Sequence, residues 1–349
     1  MKITVKPGSF LDNNSAAPVR TSDIVIQIMN SRIKLTIVPL LAAIIGVSFV
    51  PGARSQDLPE LLLGTQTNSI SWFPLYVAMK KGLFREYGFT IKPVILSNQA
   101  AVPALVQKEI PYITNLGRVM SGAGRGLPIK QIMILAAKTH HLLLVSPEIA
   151  SVRDLRNRVV AVSQIGATPH KELLAILKKF DVNPAQVGVI GLGSDYTRVM
   201  ALRQKRVDAV MTAIPYDFLV EKEGFRRLVF VKDVIDLPLS GLATHDDRIR
   251  ERPAEVRNVI SGVLKGIAYT RSRRDEVLPL LQEFIKLESA EMTRRAYEAI
   301  KDVWPEHGHS TDEGLKNVLL SEEIPIDTPL SKMTNWGPLN EAVAGAKRP

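Results

Sequence analysis

Leu61–Gly88, LLLGTQTNSISWFPLYVAMKKGLFREYG, reads as strand, polar loop, helix and tight exit. Leu61, Leu62 and Leu63 form a short apolar run that Gly64 breaks. Thr65–Ser71 is small, polar and uncharged, and an amphipathic segment from Trp72 to Lys81 follows it, stopped by Gly82. Leu83 and Phe84 supply an apolar anchor before Tyr87-Gly88. A strand that ends in a polar loop opening a helix gathers backbone N–H groups and hydroxyls at one spot, the usual ligand position of α/β proteins. The same pattern also suits a plain βα unit with a polar turn.

Further along, Thr90–Leu96 alternates as a strand and Gln99–Lys108 carries apolar residues at helical spacing. Pro111–Leu116 is a short strand or turn, Gly117–Gly126 a stretch of glycine and small residues, and Gln131–Ala137 a buried strand. A second series starts with the strand Leu142–Val145 and a short helix, Ser151–Leu155, with the makings of a capping box. The strand Val159–Val162 then runs into the polar loop Ser163–Ala167. Thr168 fits an N-cap and Pro169 the first helical position, with His170 in the first turn. Strands at Val187–Ile190, Val207–Met211 and Leu228–Val231 alternate with helices at Tyr196–Arg203 and from Pro215-Tyr216 to Glu223-Gly224. After a strand at Ser240–Thr244 the chain turns helical: Pro253–Arg271, Asp275–Phe284, Ala290–Val303 and Thr311–Leu320. A helical third must pack on a sheet already made, and the first series supplies it.

At 349 residues, 46% hydrophobic and 23% charged, the chain is long enough for two lobes. It has no cysteine, which excludes disulfides, thiolate metal sites, a cysteine nucleophile and a lipoprotein anchor. Residues 1–55 read as an N-terminal extension and signal peptide: a basic lead, Ser31–Lys34, an apolar run, Leu35–Val50, and Ala53-Arg54-Ser55 before a cut ahead of Gln56. Met29 stands just before the basic lead and is a second candidate start. That predicts a periplasmic location. The net charge is +10; residues 1–55 hold six of the 45 Lys/Arg and two of the 35 Asp/Glu, which leaves +6 on the rest. A mildly basic body suits an anionic ligand.

Several segments resemble the SsuA/THI5-like (NMT1-like) periplasmic substrate-binding proteins of ABC importers. SISWFPLYVAMKKGLFREYGF resembles the family's opening helix, and DLRNRVVAVSQIGATPHKELLAIL the strand–loop–helix that opens its second lobe. RVDAVMTAIPY and VPALVQKEIPY…GAGRGLPIKQI resemble two further stretches, so that the likeness spans about residues 57–270. The chain departs from the family pattern at Glu109–Tyr112, at Gly166-Ala167-Thr168 and at Ala213-Ile214, near the expected pocket. The resemblance implies an α/β clamshell of the type II periplasmic-binding class. Lobe one would be 56–139 plus 239–349, with the helical C-terminal region packed on it, and lobe two 140–238. It implies hinge closure on a small solute, no catalysis and no cofactor. The partners would be a permease and an ATPase, with the protein itself a monomer. The THI5 branch of the superfamily includes a pyrimidine-making enzyme with a cysteine-rich motif, and an exported ligand sensor is a third reading.

Four loop clusters should then face the cleft. Gln66, Asn68 and Ser69 form the first, with Trp72 as a stacking surface; Gly117 and Arg118 form the second. Ser163, Gln164, Thr168 and His170 form the third, and Pro215-Tyr216 the fourth. Thr168 offers a hydroxyl at a helix start, and Arg118 can pair with a carboxylate or sulfonate. The equally simple alternatives are a plain cap, a solvated arginine and, for Trp72, a place in the core. His140-His141 and His307-Gly308-His309 lack carboxylate or cysteine partners at ligand spacing, so no metal is expected. No nucleic-acid-binding motif is present.

Overall fold

The ten strands of the described residues sort into two separate five-stranded sheets. The computed structural model describes residues 58–66 and 69–346; the signal-peptide reading and the choice between Met1 and Met29 fall outside these residues, as does Asn68. The first series gives β1 (Glu60–Thr65), α1 (Phe73–Lys80), β2 (Thr90–Ile95), α2 (Asn98–Val106), β3 (Tyr112–Ile113), α3 (Gly117–Gly124) and β4 (Ile129–Ala136). The second gives β5 (His141–Val145), β6 (Val159–Val162), α4 (Thr168–Lys179), β7 (Gly188–Gly191), α5 (Asp195–Arg203), β8 (Ala209–Ala213) and β9 (Arg226–Phe230). Then come β10 (Ser240–His245), α6 (Asp246–Glu251), α7 (Pro253–Ser272), α8 (Arg274–Ile285), α9 (Ala290–Ile300), α10 (Asp312–Ser321) and α11 (Gly337–Ala346).

One sheet has the order β2-β1-β3-β10-β4 and the other β7-β6-β8-β5-β9. β1 runs parallel to β2 and β3, whereas β10 returns antiparallel between β3 and β4. In the second sheet β6 is parallel to β7 and β8, and β5 is antiparallel to β8 and β9. The chain therefore changes sheet twice, between Ala136 and His141 and between Phe230 and Ser240. Asp302 holds both passages: Lys138 from the first lies 3.1 Å from it and Lys232 from the second 2.5 Å.

Gly117–Gly126 is mostly helix, not loop. Val119, Met120 and Ala123 of α3 are buried, and this burial outweighs the poor intrinsic helix propensity of three glycines. Pro215-Tyr216 opens two short 3-10 turns, Tyr216–Leu219 and Glu221–Glu223, instead of one helix, and the Ile214–Pro215 bond is cis. The helical region packs on the first sheet as its apolar stripes require. Val256, Val259, Ile260, Val263 and Ile267 of α7 are fully buried. At Gly266 a Cβ would strike the Pro74 carbonyl and, at 2.8 Å, the Ala78 methyl, so glycine is what lets α7 lie against α1. The last third does touch the sheet edge once: Thr334 makes a single bridge to Gln131. Among the described residues no helix is long and apolar enough to cross a membrane.

Candidate functional site

In the first sheet β1 and β3 end side by side, with Gly64 opposite Ile113. Hydrogen bonds tie the loops that leave them. Thr114 N–H donates to the Gly64 carbonyl (2.9 Å) and Gln66 Nε2 to Asn115 Oδ1 (2.9 Å). Ser69 caps the 3-10 turn before α1: its Oγ accepts from Ser71 N–H at 3.4 Å and lies 2.8 Å from Ser71 Oγ. Gly117 is the first residue of α3, and Arg118 beside it is exposed, with no hydrogen bond or ion pair among the described residues.

Trp72 takes the other role its position allowed. It is 3% exposed, with its indole edge-on to Phe284 at 4.8 Å between ring centroids. Burial of so large an apolar face drives it into the core, and it offers a ligand almost no surface. Tyr76 likewise turns to α8, its hydroxyl donating to Glu283 (2.9 Å).

In the second sheet the loops after β6 and β7 are joined: Gly193 N–H donates to the Ser163 carbonyl (3.0 Å). Gln164 is exposed and its carbonyl accepts from Ala167 N–H (3.1 Å). The N-cap of α4 is Ala167, one residue earlier than expected, which makes Thr168 the first helical residue and Pro169 the second. In the turn before the helix, Gly166 N–H donates to His170 Nδ1 at 3.0 Å, with Gly166 in the left-handed region (φ 82°). As the first helical residue Thr168 is not the cap. Neither its hydroxyl nor its N–H has a partner among the described residues, the condition of a helix start that can receive an anion.

Arg198, 2% exposed, builds the wall that ends in Tyr216. Its Nε donates to the Met211 carbonyl (2.6 Å), and its guanidinium also reaches the Gly193 carbonyl and Asp195. Asp195 Oδ1 in turn accepts from the Thr212 hydroxyl (2.9 Å) and Ala213 N–H (3.0 Å). Burial pushes the Tyr216 hydroxyl pKa up, and the Asp195 charge adds to this. So Tyr216 is a neutral donor at physiological pH.

The two halves meet at a contact that nothing in the sequence announces. Lys171 Nζ, in the first turn of α4, donates to Glu322 Oε1 at 3.0 Å, from just past the end of α10. The same oxygen sits over the start of α3, where a Cβ on Gly117 would lie 2.5 Å from it. Gly117 at the start of α3 and Lys171 from the first turn of α4 thus meet at one carboxylate. Gly117→Ala should push Glu322 aside. We expect it to cost about 1 kcal/mol or less, the scale of a solvent-touched ion pair. In a denaturation double-mutant cycle with Glu322→Gln the two losses should not add.

No local sequence signal marks His141 as more than a rejected metal ligand. Its Nδ1 lies 2.7 Å from Glu172 Oε2, a carboxylate with no exposed surface. Among the described residues no three His, Cys, Asp or Glu side chains cluster as a metal site. Two surface grooves lie away from this contact, one of about 530 Å³ along Arg271–Glu276 and one of about 380 Å³ between α1 and β2.

Residues 69–277 match the family model described as NMT1/THI5 like. The chain belongs to the NMT1/THI5-like family. No curated protein sequence matches it. Solved structures similar to this NMT1/THI5-like chain include the periplasmic aliphatic sulphonate binding protein SsuA from Escherichia coli. It is 21% identical with a TM-score of 0.59, over 69% of this chain and 84% of that one. The alkanesulfonate-binding protein SsuA from Xanthomonas axonopodis pv. citri, bound to MOPS, is 15% identical with a TM-score of 0.60, over 81% and 97%. The desulfurization enzyme DSZB is 14% identical with a TM-score of 0.62, over 83% and 100%. Two α/β sheets joined by a double crossover are thus the periplasmic-binding-protein fold, in agreement with the fold class the sequence implied.

Proposed function

We propose that this NMT1/THI5-like protein is an extracytoplasmic solute-binding protein that holds a small organic anion between two lobes and delivers it to an ABC importer. The lobes are 56–139 with 239–349 and 140–238, and they close as a hinge about the two crossovers. The observation that carries this reading is the placement of a carboxylate, Glu322, over the start of α3 and against Lys171, which reaches it from the first turn of α4. A helix start with a lysine beside it suits the anionic head of a ligand, which would take the place of Glu322 against Lys171. Arg118 and Thr168, whose side chains have no partners among the described residues, would complete its contacts, and Gln66, Ser163, Gln164 and Tyr216 would line the approach. Nitrate, aliphatic sulfonates, taurine and aromatic acids are the classes to test. Closure would bring two half-sites together, so binding energy shifts the open–closed equilibrium.

The fold also serves a desulfurization enzyme, so fold alone does not choose between binding and catalysis. The absence of cysteine argues against a chemistry that needs a thiolate. A thermal-shift screen of the secreted form against those anions and against uncharged pyrimidines tests the reading, since a true ligand raises the melting point with concentration. Thr168→Ala and Arg118→Ala should each weaken binding about tenfold, the loss of one charge-assisted hydrogen bond. The ligand-free melting point should stay within about 1 °C, because neither side chain has a bond among the described residues. Stabilisation by pyrimidines alone, or turnover of the bound compound, would refute it.

A further inference from the structure

His141 opens β5 and lies opposite Ala213, the last residue of β8, next to the Pro215-Tyr216 wall. Its Nδ1 is 2.7 Å from Oε2 of Glu172. Glu172 stands four residues after Thr168 on α4, so the two share one helix face a turn apart. The imidazole is therefore laid against the same face of α4 whose first residue is the unpartnered Thr168. Glu172 is 0% exposed, and its second oxygen, Oε1, is buried with no hydrogen-bond partner among the described residues. The His141 side chain keeps 14% of its surface open, and Nε2, absent from the buried unpaired atoms, has no protein partner among the described residues. One nitrogen is anchored by a buried carboxylate, and the other is presented outward.

We propose that His141 is a ligand-binding residue of this site, donating through Nε2–H to an oxyanion head group, a carboxylate or sulfonate, seated at the start of α4. The inference rests on the anion-binding reading above and names a contact within it. The groups that face the ring are Glu172 from α4, Asp195 and Arg198 from α5, and His140 beside it. Burial disfavours the imidazolium, but the Glu172 carboxylate and Asp195 outweigh it, so the net effect raises the His141 pKa above its ordinary value. With His141 protonated, the two acids are balanced by it and Arg198, whereas deprotonation leaves one net negative charge facing the ligand head. His140, fully enclosed, moves the other way and stays neutral, pushed down by burial and by the charge of His141.

Binding of the anion favours protonated His141, so affinity is full below its raised pKa and is lost as pH rises through it. The decisive experiment measures dissociation constants for methanesulfonate, nitrate and benzoate by calorimetry from pH 5.5 to 9, in wild type, His141→Asn, His141→Gln and Glu172→Gln. An imidazole NMR titration of the ligand-free protein runs beside it. Wild-type affinity should fall about tenfold per pH unit above the His141 pKa. Both His141 variants should bind more weakly at low pH and lose that slope, while Glu172→Gln should move the break to lower pH together with the NMR pKa. Two substitutions at His141 guard against a variant that fails to fold, and the amide of either still donates to Glu172. Affinity that does not depend on pH, or a slope that survives in both variants, overturns the role of His141 and leaves the anion reading standing. Failure of all three anions to bind wild type at any pH overturns both.

Discussion

Trp304→Ala is expected to destabilise the protein by about 3–5 kcal/mol, the range for deleting a large buried aromatic. Trp304 has no exposed surface and packs 5.7 Å from the Phe73 ring and 6.4 Å from the Tyr297 ring, centroid to centroid. Its Nε1–H donates to the Ile70 carbonyl at 2.9 Å, across 234 residues of sequence. The substitution thus opens a cavity and also leaves a buried carbonyl without a donor, which alone costs about 1–3 kcal/mol. Trp304→Phe should recover most of the packing but not the hydrogen bond, and fall between the two. Chemical denaturation checks both; a loss under about 1 kcal/mol for Trp304→Ala would mean that the helical region is not what holds the opening unit. Because Ile70 lies in the turn that follows Ser69, looser ligand binding should accompany the lost stability.

Arg198→Met should cost nearly as much, about 3 kcal/mol, at the low end for breaking a buried ion pair. The low end applies because Asp195 is 31% exposed and keeps its bonds from Thr212 and Ala213. The Met211 and Gly193 carbonyls, both partners of the guanidinium, lose their donor. Burial lowers the Arg198 pKa, and Asp195 opposes this, so the group stays charged and its removal is felt as a lost charge. Adding Asp195→Asn should restore part of the stability, and a double-mutant cycle by urea denaturation would read the coupling. Additive losses would show that Arg198 works through its carbonyls and not through Asp195.

These two residues mark the limit of what pattern reading can reach. Neither attracted notice in the sequence, since a tryptophan in a helical region and an arginine on an amphipathic helix look ordinary. Their partners, Ile70 and the Met211 and Gly193 carbonyls, are backbone groups that carry no side-chain signature. Where a signal is local, the reading went further. Alternation marked β2, the apolar stripe marked α7, and the Ser151–Asp154 capping box is present as expected. Local glycine content misled at Gly117–Gly124, because the burial that stabilises α3 comes from other elements. At Thr168 the polar type suggested a cap, but the helix starts one residue earlier, with Ala167 as N-cap.

By itself, the sequence determined the alternation of strands and helices, the change to helices after residue 240, and the exclusion of cysteine chemistry. Those properties are set by periodicity and composition over a few residues, where each side chain's preference acts on its own backbone. Only the tertiary structure decided that Lys171 meets Glu322 at Gly117, that Glu172 anchors His141, and that Trp72 is core. Ion pairs and hydrogen bonds act over a few ångströms between groups separated by 31 to 151 residues, and no local preference encodes such a meeting. It exists because hydrophobic burial brings two sheets and a helical layer together, and the polar groups carried along must then find partners.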